Sequence, residues 1–199
     1  MPTEPLTSSL LPVPHGFTTR AGGCSEGPYA SLNLGFSVGD ERARVEENHR
    51  RLAQAAGAPL EALSRVSQVH GDRVVEARSG EGAQGLRPTE GEADGLWTRT
   101  PGSWVAVGTA DCVPVLLVDP EGRGVAAVHS GWRGTDADIS ARAVEALVAR
   151  GPGRSGCWRR WGRRYRSVAT RCRRSWRNAS ARAPGRTWCG GRRARRGWI

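Results

Sequence analysis

The stretch Val105–Gly134, VAVGTADCVPVLLVDPEGRGVAAVHSGWRG, decides the fold. It holds two aliphatic runs, VPVLLVD and GVAAV, joined by the breaker PEGRG. Short aliphatic runs bounded by Gly, Pro and Asp are typical of buried strands and are too short for free-standing helices. Cys112 precedes the first run and His129 ends the second, so neighbouring strand ends could bring both side chains to one ligand. A buried cysteine and a capping histidine are the alternative, but the glycine-rich HSGWRG favours a site because it leaves room for a substrate.

A histidine-bearing turn upstream of this stretch adds a third candidate residue. Residues Arg65–Ala77, RVSQVHGDRVVEA, predict two strands around a tight turn at residues 70–72. Gly71 is expected to take a positive φ, which would swing the His70 imidazole out of the sheet. The next segment, ADGLWT, contains Asp94, which is either a turn residue or a partner of a ligand, and the turn is favoured.

Two helices flank these strands. The first is predicted from Asp40 to Ala56, with Asp40 as its cap and Gly57 as its stop. His49 falls near the apolar stripe of this helix and is left out of the site. The second is capped by Thr135 or Asp136 and runs to about Arg150. The expected fold class is therefore α+β, with mixed β-sheets flanked by helices.

Charge divides the chain into two parts. The net charge is +11, and there is no lysine. Residues 1–151 carry 14 arginines against all 19 acidic residues, giving −5, while residues 152–199 carry 16 arginines and no acid. The second part holds five of the eight tryptophans but no leucine, so it cannot supply a core. We predict a domain at 1–151 followed by a disordered Arg/Trp-rich tail at 152–199.

Several motifs resemble one bacterial family in order over residues 15–150. ADCVPVLL, AAVHSGWRG and QVHGDRV resemble the laccase-domain proteins, also called the multicopper polyphenol oxidase or YfiH-type family, as do HGFTTRAGGCSEGPYASLNLGFSVGD and VEENHRRL. The resemblance implies a single α+β domain with purine nucleoside phosphorylase activity on adenosine, inosine and methylthioadenosine, and with adenosine deaminase activity. It also implies a zinc ion held by His70, Cys112 and His129. The partners would be a purine nucleoside and phosphate.

The donor set and nearby residues fit this expectation. Three ligands of N, N and S type suit zinc, and an open fourth position is typical of a catalytic site. Arg20 and Arg133 are candidate phosphate-binding residues, because a guanidinium can donate two parallel hydrogen bonds to phosphate oxygens. Asp111, beside Cys112, would orient a ligand or shuttle a proton, and a structural turn carboxylate is an equal alternative. The pattern PCxxC of the zinc deaminases is absent, so any deamination would use another architecture.

Copper is the competing metal, and a copper-dependent polyphenol oxidase the competing enzyme. A blue-copper site usually adds an axial methionine, and the only methionine is Met1. A multicopper cluster needs many imidazoles, whereas the chain has four histidines. Zinc is therefore preferred, with adventitious copper as the alternative.

The tail supports two interpretations. It resembles a nucleic-acid-binding arm, with arginines on phosphates and tryptophans stacked on bases. Alternatively, it is a frameshift product. In the frame that joins the last base of each codon to the first two of the next, Trp161-Gly162 yields glycine outright, and with GC-rich arginine codons CWRRWGRRYRSVATRCRRSW can be read as LAAVGPAVSVGCYEVSEEL. That peptide resembles the segment expected next in the family. We favour the frameshift, which would leave the domain C-terminally incomplete and the product unstable and inactive.

Compartment and membrane association follow from what the sequence lacks. No apolar run approaches a membrane span and the N-terminus does not resemble a signal peptide, so the expected location is cytoplasmic without a membrane partner. The five cysteines form an odd set without framework spacing, which argues against a disulfide-built secreted module. Oligomeric state is left open.

Overall fold

A computed structural model describes residues 4–78, 85–86, 88–119 and 123–149, together with the backbone of 166–169. Three α-helices lie in these ranges: α1 (Arg42–Ala56), α2 (Trp132–Asp136) and α3 (Ile139–Ala149). The same ranges contain seven strands: β1 (Leu63–Ser64), β2 (Val74–Glu76), β3 (Gly95–Thr98), β4 (Trp104–Val105), β5 (Val113–Val118), β6 (Val125–Ser130) and β7 (Arg166–Ala169).

The main sheet is five-stranded and mixed, in the order β2-β3-β6-β5-β7. Strands β5 and β6 are the two aliphatic runs of the central stretch, and they pair antiparallel with Val113 opposite Ser130. Strand β3 pairs antiparallel with β6 and parallel with β2. A second, two-stranded sheet joins β1 and β4 in parallel. The α+β prediction with mixed sheets and flanking helices is confirmed.

Successive side chains of a strand point to opposite faces of the sheet. Both faces of the main sheet are covered. In β3, Trp97 points to the face on which α3 packs, with Ile139, Ala143 and Leu147 fully buried. The neighbouring Leu96 points to the opposite face, where it meets residues of the preceding loops, Val66, Ala77 and Ala93. The sheet is thus packed on both faces.

Both predicted helices form, but each begins differently from the expectation. Helix α1 starts at Arg42 with Glu41 as N-cap, and Gly57 ends it in the left-handed conformation (φ 66°) as predicted. Asp40 instead accepts hydrogen bonds from the side chains of Ser25 and Asn33, at 2.6 and 2.8 Å. The bond from Asn33 is the largest of the effects that lower the pKa of Asp40 below its usual 3.8.

The second predicted helix forms as α3, and a short helix that was not predicted, α2, precedes it. Neither Thr135 nor Asp136 caps it, since α2 already begins at Trp132 with Gly131 as its N-cap. The break before α3 lies at Asp138, which adopts φ 57°. Aspartate is one of the few non-glycine residues that tolerate this region, because its short side chain bonds locally.

The histidine-bearing turn also differs from the prediction. Only its second strand forms, as β2, while the first half contributes an isolated bridge between Ser67 and Glu92. The positive φ falls on His70 itself (61°), not on Gly71. The expectation that Gly71 would take the left-handed conformation is therefore wrong.

The remaining segments lie partly outside the described residues. In the predicted tail, the structure describes β7, which pairs antiparallel with β5, so regular structure does occur within a stretch that was expected to be disordered. The rest of 152–199, and much of the glycine-rich loop predicted at residues 79–92, lies outside the described residues. Among the described helices, none has the length and apolar character needed to cross a membrane.

Candidate metal centre

Two loops and the end of strand β6 meet at one end of the main sheet, and each delivers one predicted ligand. Cys112 immediately precedes β5, and His129 lies near the end of β6, opposite Pro114 in the antiparallel register. His70 comes from the turn before β2. Because antiparallel strands place the start of one beside the end of the next, adjacency of Cys112 and His129 follows directly from the hairpin.

The three side chains form one compact donor group. One ligand atom from each of His70, Cys112 and His129 lies within 4.8 Å of the others. The two imidazole rings meet edge to face, with centroids 4.8 Å apart. His129 is 3% exposed, Cys112 is half-buried and His70 is exposed. The group opens to solvent on the His70 side, because His70 is its exposed member.

A reciprocal pair of hydrogen bonds ties two of the loops together. The Gln68 side-chain amide donates to the Gly108 carbonyl, and the Gly108 N–H donates back to Gln68 Oε1, both at 2.7 Å. This joins the loop that carries His70 to the loop that carries Cys112 across 40 positions of sequence. Sequence reasoning missed Gln68, since no local pattern distinguishes it from a solvated glutamine.

Asp94 is the buried partner of a candidate ligand rather than a simple turn residue. Its carboxylate is fully buried, and its Oδ1 lies 2.8 Å from His129 Nδ1. With Nδ1 directed at a carboxylate, His129 has Nε2 left for a metal ion, the arrangement that histidine ligands commonly show. The sequence pattern allows this role for Asp94 but favours a turn residue, and that preference is wrong.

Gly131 provides the space between the ligands. A Cβ atom built on it would lie 3.3 Å from both Cys112 Sγ and His70 Cδ2, and 3.7 Å from His129 Cε1. The absent side chain of Gly131 therefore allows all three ligand side chains to approach the same point. The sequence analysis noted the glycines of HSGWRG as room for a substrate but did not single out this one.

The two predicted catalytic residues, Asp111 and Arg133, lie close in sequence to Cys112 and Gly131 respectively. Asp111 is exposed and adjoins Cys112 in the chain. Arg133 is exposed in α2, where its guanidinium carbon lies 5.2 Å from the Trp132 ring centroid. Trp132 itself is 65% exposed, unusual for so large an apolar side chain. The Trp132 ring, with the Arg133 guanidinium over it, thus directly follows Gly131 in the chain. Trp132 is not among the residues predicted from the sequence.

The side chain of Arg20, which is predicted to bind substrate, is hydrogen-bonded within its own loop. Its Nε donates to the Ala30 carbonyl at 2.9 Å, and a second nitrogen of its guanidinium contacts the same oxygen. The structure therefore gives the exposed Arg20 side chain a loop-shaping bond. Its role in substrate binding stays a prediction.

His49 lies in the interior of the protein. It is 3% exposed, stacks on Phe36 with ring centroids 5.2 Å apart, and pairs through Nδ1 with the Val45 carbonyl. Burial lowers the pKa of His49 below its usual 6.5, so the ring is neutral near neutral pH. A packing role accounts for all of these features.

The donor set fits a tetrahedral zinc ion better than other common metals. Two imidazoles and a thiolate are borderline-soft ligands of the kind zinc prefers, and three protein ligands leave a fourth position open. The buried Asp94 behind His129 adds the outer hydrogen bond that such sites use. The residues present are therefore compatible with a catalytic rather than a structural zinc centre.

Known proteins resemble the chain over this same region. The family model described as multi-copper polyphenol oxidoreductase laccase matches residues 14–158. A purine nucleoside phosphorylase of Deinococcus radiodurans is 49% identical over 143 residues, covering 72% of this chain and 53% of that protein. Purine nucleoside phosphorylase YlmD of Geobacillus stearothermophilus is 43% identical over 132 residues, covering 65% of this chain and 48% of that protein.

Solved structures agree with these matches. The crystal structure of YlmD from Geobacillus stearothermophilus aligns with a TM-score of 0.62 at 41% identity, over 68% of this chain and 51% of that one. A hypothetical protein YfiH of Bacillus licheniformis aligns with a TM-score of 0.65 at 33% identity, over 77% and 56%. The chain spans about half the length of the curated relatives it matches. The resemblance inferred from the motifs is confirmed: the chain belongs to the multi-copper polyphenol oxidoreductase laccase family, whose relatives here include YlmD.

Proposed function

We propose that the chain is a zinc-dependent purine nucleoside phosphorylase with adenosine deaminase activity. The observation that carries the proposal is the convergence of His70, Cys112 and His129 within 4.8 Å, in a chain whose relatives are named purine nucleoside phosphorylases. The substrates would be adenosine, inosine or methylthioadenosine together with phosphate. Zinc, when bound, would supply a Lewis acid beside the substrate.

Residues of the chain itself would bind the phosphate and the purine. Phosphorolysis joins a phosphate oxygen to the ribose anomeric carbon as the bond to the purine nitrogen breaks. The exposed guanidinium of Arg133 is suited to hold that phosphate, because a planar fork binds two of its oxygens at once. The Trp132 ring beside it offers an apolar face for the purine. We assign Arg20 to the same phosphate or the ribose, once its bond to Ala30 is exchanged for the ligand.

Deamination replaces the purine amino group with oxygen from water and releases ammonia. A proton must leave the water and reach the departing amine. Asp111 is exposed and adjoins Cys112, so it is the carboxylate that we assign to this transfer. His129 is held by Asp94 and is not available for it.

Copper-dependent oxidation of polyphenols is the second candidate, since the matching family model carries that description. The four histidines of the sequence disfavour it, because a multicopper cluster needs more imidazoles than these. Metal analysis of the purified protein separates the two candidates: zinc supports the phosphorylase, and copper with oxidation of a phenol supports the oxidase.

The proposed activity is tested by incubating the zinc-loaded protein with adenosine and phosphate. Adenine and ribose 1-phosphate report phosphorolysis, while inosine reports deamination, and a chain with Cys112→Ser is the inactive control. The assay is run on the chain as printed and on the product of the alternative frame after residue 151. Turnover by neither protein would contradict the proposal, and turnover by the second alone would support both the function and the frameshift.

A further inference from the structure

The most heavily hydrogen-bonded group at the donor site is a carboxylate that holds no metal. Asp94 precedes β3 and is 0% exposed. Burial of a charged carboxylate is costly unless its oxygens are satisfied, so its partners indicate why it is there. Those partners are His129 Nδ1 and the backbone N–H groups of Val69, His70 and Gly71. Every one of them belongs to a candidate ligand or to the turn that carries one.

The first consequence concerns the orientation of His129. Its Nδ1 lies 2.8 Å from Asp94 Oδ1, and its backbone N–H donates to the Asp94 carbonyl at 2.7 Å. Two bonds from the same residue fix both the main chain and the ring of His129. An ionised carboxylate accepts only, so a neutral His129 ring would carry its hydrogen on Nδ1 and keep the lone pair of Nε2.

The second consequence concerns the backbone of His70. A non-glycine residue with positive φ is strained and persists only where its surroundings hold it; His70 has φ 61°. Three successive N–H groups point at the Asp94 carboxylate, with distances of 3.3, 2.9 and 2.7 Å for Val69, His70 and Gly71. Such a concave row of N–H groups is an anion-binding nest. Asp94 is the anion that stabilises this conformation.

We propose that Asp94 is the shared positioning residue of the metal centre: its one carboxylate orients His129 through the ring and His70 through the backbone. The two histidines lie 59 positions apart in sequence, so neither could position the other through local structure. Loss of the negative charge would loosen both ligands together. This inference rests on the proposed zinc centre.

The substitution that tests it is Asp94→Asn in the full chain. Asparagine keeps the size but presents one N–H₂ group where two oxygens now accept, so it cannot satisfy both the ring and the nest. Zinc affinity is measured by competition with a chromophoric chelator and is expected to fall by about 10–100-fold, as for other outer partners of metal ligands. Cobalt substituted for zinc should give an altered visible spectrum, which a general loss of stability would not produce.

Asp119→Asn is the matched control. Asp119 is also buried, 1% exposed, and lies at the opposite end of β5, with Arg99 3.7 Å away. Its substitution should lower stability to urea while leaving zinc affinity and the cobalt spectrum unchanged. Equal zinc affinity in the parent and in Asp94→Asn would overturn the role of Asp94, as would an equal loss of affinity in the control. A parent chain that binds no zinc would overturn the metal centre itself and this role with it.

A measurement on the parent protein covers the case in which Asp94→Asn does not fold. Assigned long-range proton–nitrogen correlations of the metal-free protein report which ring nitrogen of His129 is protonated. The hydrogen is expected on Nδ1. A neutral His129 protonated on Nε2 would overturn the proposal without any variant.

Discussion

Replacing Gly131 with alanine should weaken zinc binding while leaving the metal-free fold almost equally stable. Gly131 has φ −70° and ψ 172°, an extended conformation that alanine adopts without strain. The new methyl group would meet the ligands, however, at 3.3 Å from Cys112 Sγ and from His70 Cδ2. The backbone thus accepts the substitution, whereas the donor group does not.

The magnitudes separate the two effects. Alanine reduces the freedom of the unfolded chain, which stabilises by about 0.4–1 kcal/mol. It is also a poorer N-cap than glycine for α2, which costs about 0.5–1 kcal/mol, so these terms nearly cancel. A contact at 3.3 Å forces the neighbouring atoms apart by a few tenths of an ångström. Metal–ligand distances tolerate only about 0.2 Å, so we expect zinc affinity to fall on the order of tenfold, about 1.4 kcal/mol.

Chelator competition gives the zinc dissociation constant, and urea unfolding with excess chelator gives the stability of the metal-free chain. Gly124→Ala is the control, since its Cβ would be similarly crowded, 3.1 Å from Leu147 Cδ2, but at the opposite end of β6. The control should change stability and leave zinc affinity intact. A folded Gly131→Ala protein that binds zinc as tightly as the parent would refute this reasoning.

Two further predictions concern the cysteines and the dependence of stability on pH. Cys112→Ser should abolish zinc binding, whereas Cys24→Ser, at the other half-buried cysteine described, should retain it; equal binding by both would contradict the assignment of Cys112. Because burial lowers the pKa of His49 below 6.5, the unfolded chain binds the proton more readily, so the free energy of unfolding should decrease as pH falls from about 7 to 5. His49→Gln should flatten that decrease, as measured by urea unfolding at each pH. The pKa of Asp40 is also lowered, so its contribution to the free energy of unfolding is present above pH 3.8 and is lost below it. Asp40→Asn should remove only this decrease in the free energy of unfolding below pH 3.8.

The strands of the site could be predicted because their signal is local. Aliphatic runs bounded by breakers fixed β5 and β6, and the antiparallel hairpin then required Cys112 and His129 to be neighbours. The end of α1 was equally local, since Gly57 alone supplies the left-handed stop. The third ligand, His70, came from the family resemblance, because its sequence neighbours do not show which strand end it will meet.

What the sequence could not reveal depends on contacts between distant segments. Asp94 lies 24 positions from His70 and 35 from His129, and aspartate before a strand is more often a turn residue. The positive φ was assigned to Gly71 on intrinsic preference, but the nest around Asp94 imposes it on His70. The pairing of Gln68 with Gly108 spans 40 positions. In each case a tertiary hydrogen bond overrides or supplements local propensity.

Metal binding and catalysis should be separable in this protein because some of the residues proposed for them come from different segments of the chain. The three candidate ligands and their supports, Asp94 and Gly131, come from strand β6 and the adjoining loops at one end of a single sheet. Arg20, by contrast, belongs to a loop far upstream in the sequence and is already bonded there to Ala30. Zinc binding is therefore expected to depend on the sheet end and its adjoining loops, whereas under the proposed function turnover would also need Arg20 to exchange Ala30 for substrate. Tight zinc binding without nucleoside turnover would locate the defect in substrate handling, while loss of zinc binding in a folded chain would locate it in the donor group.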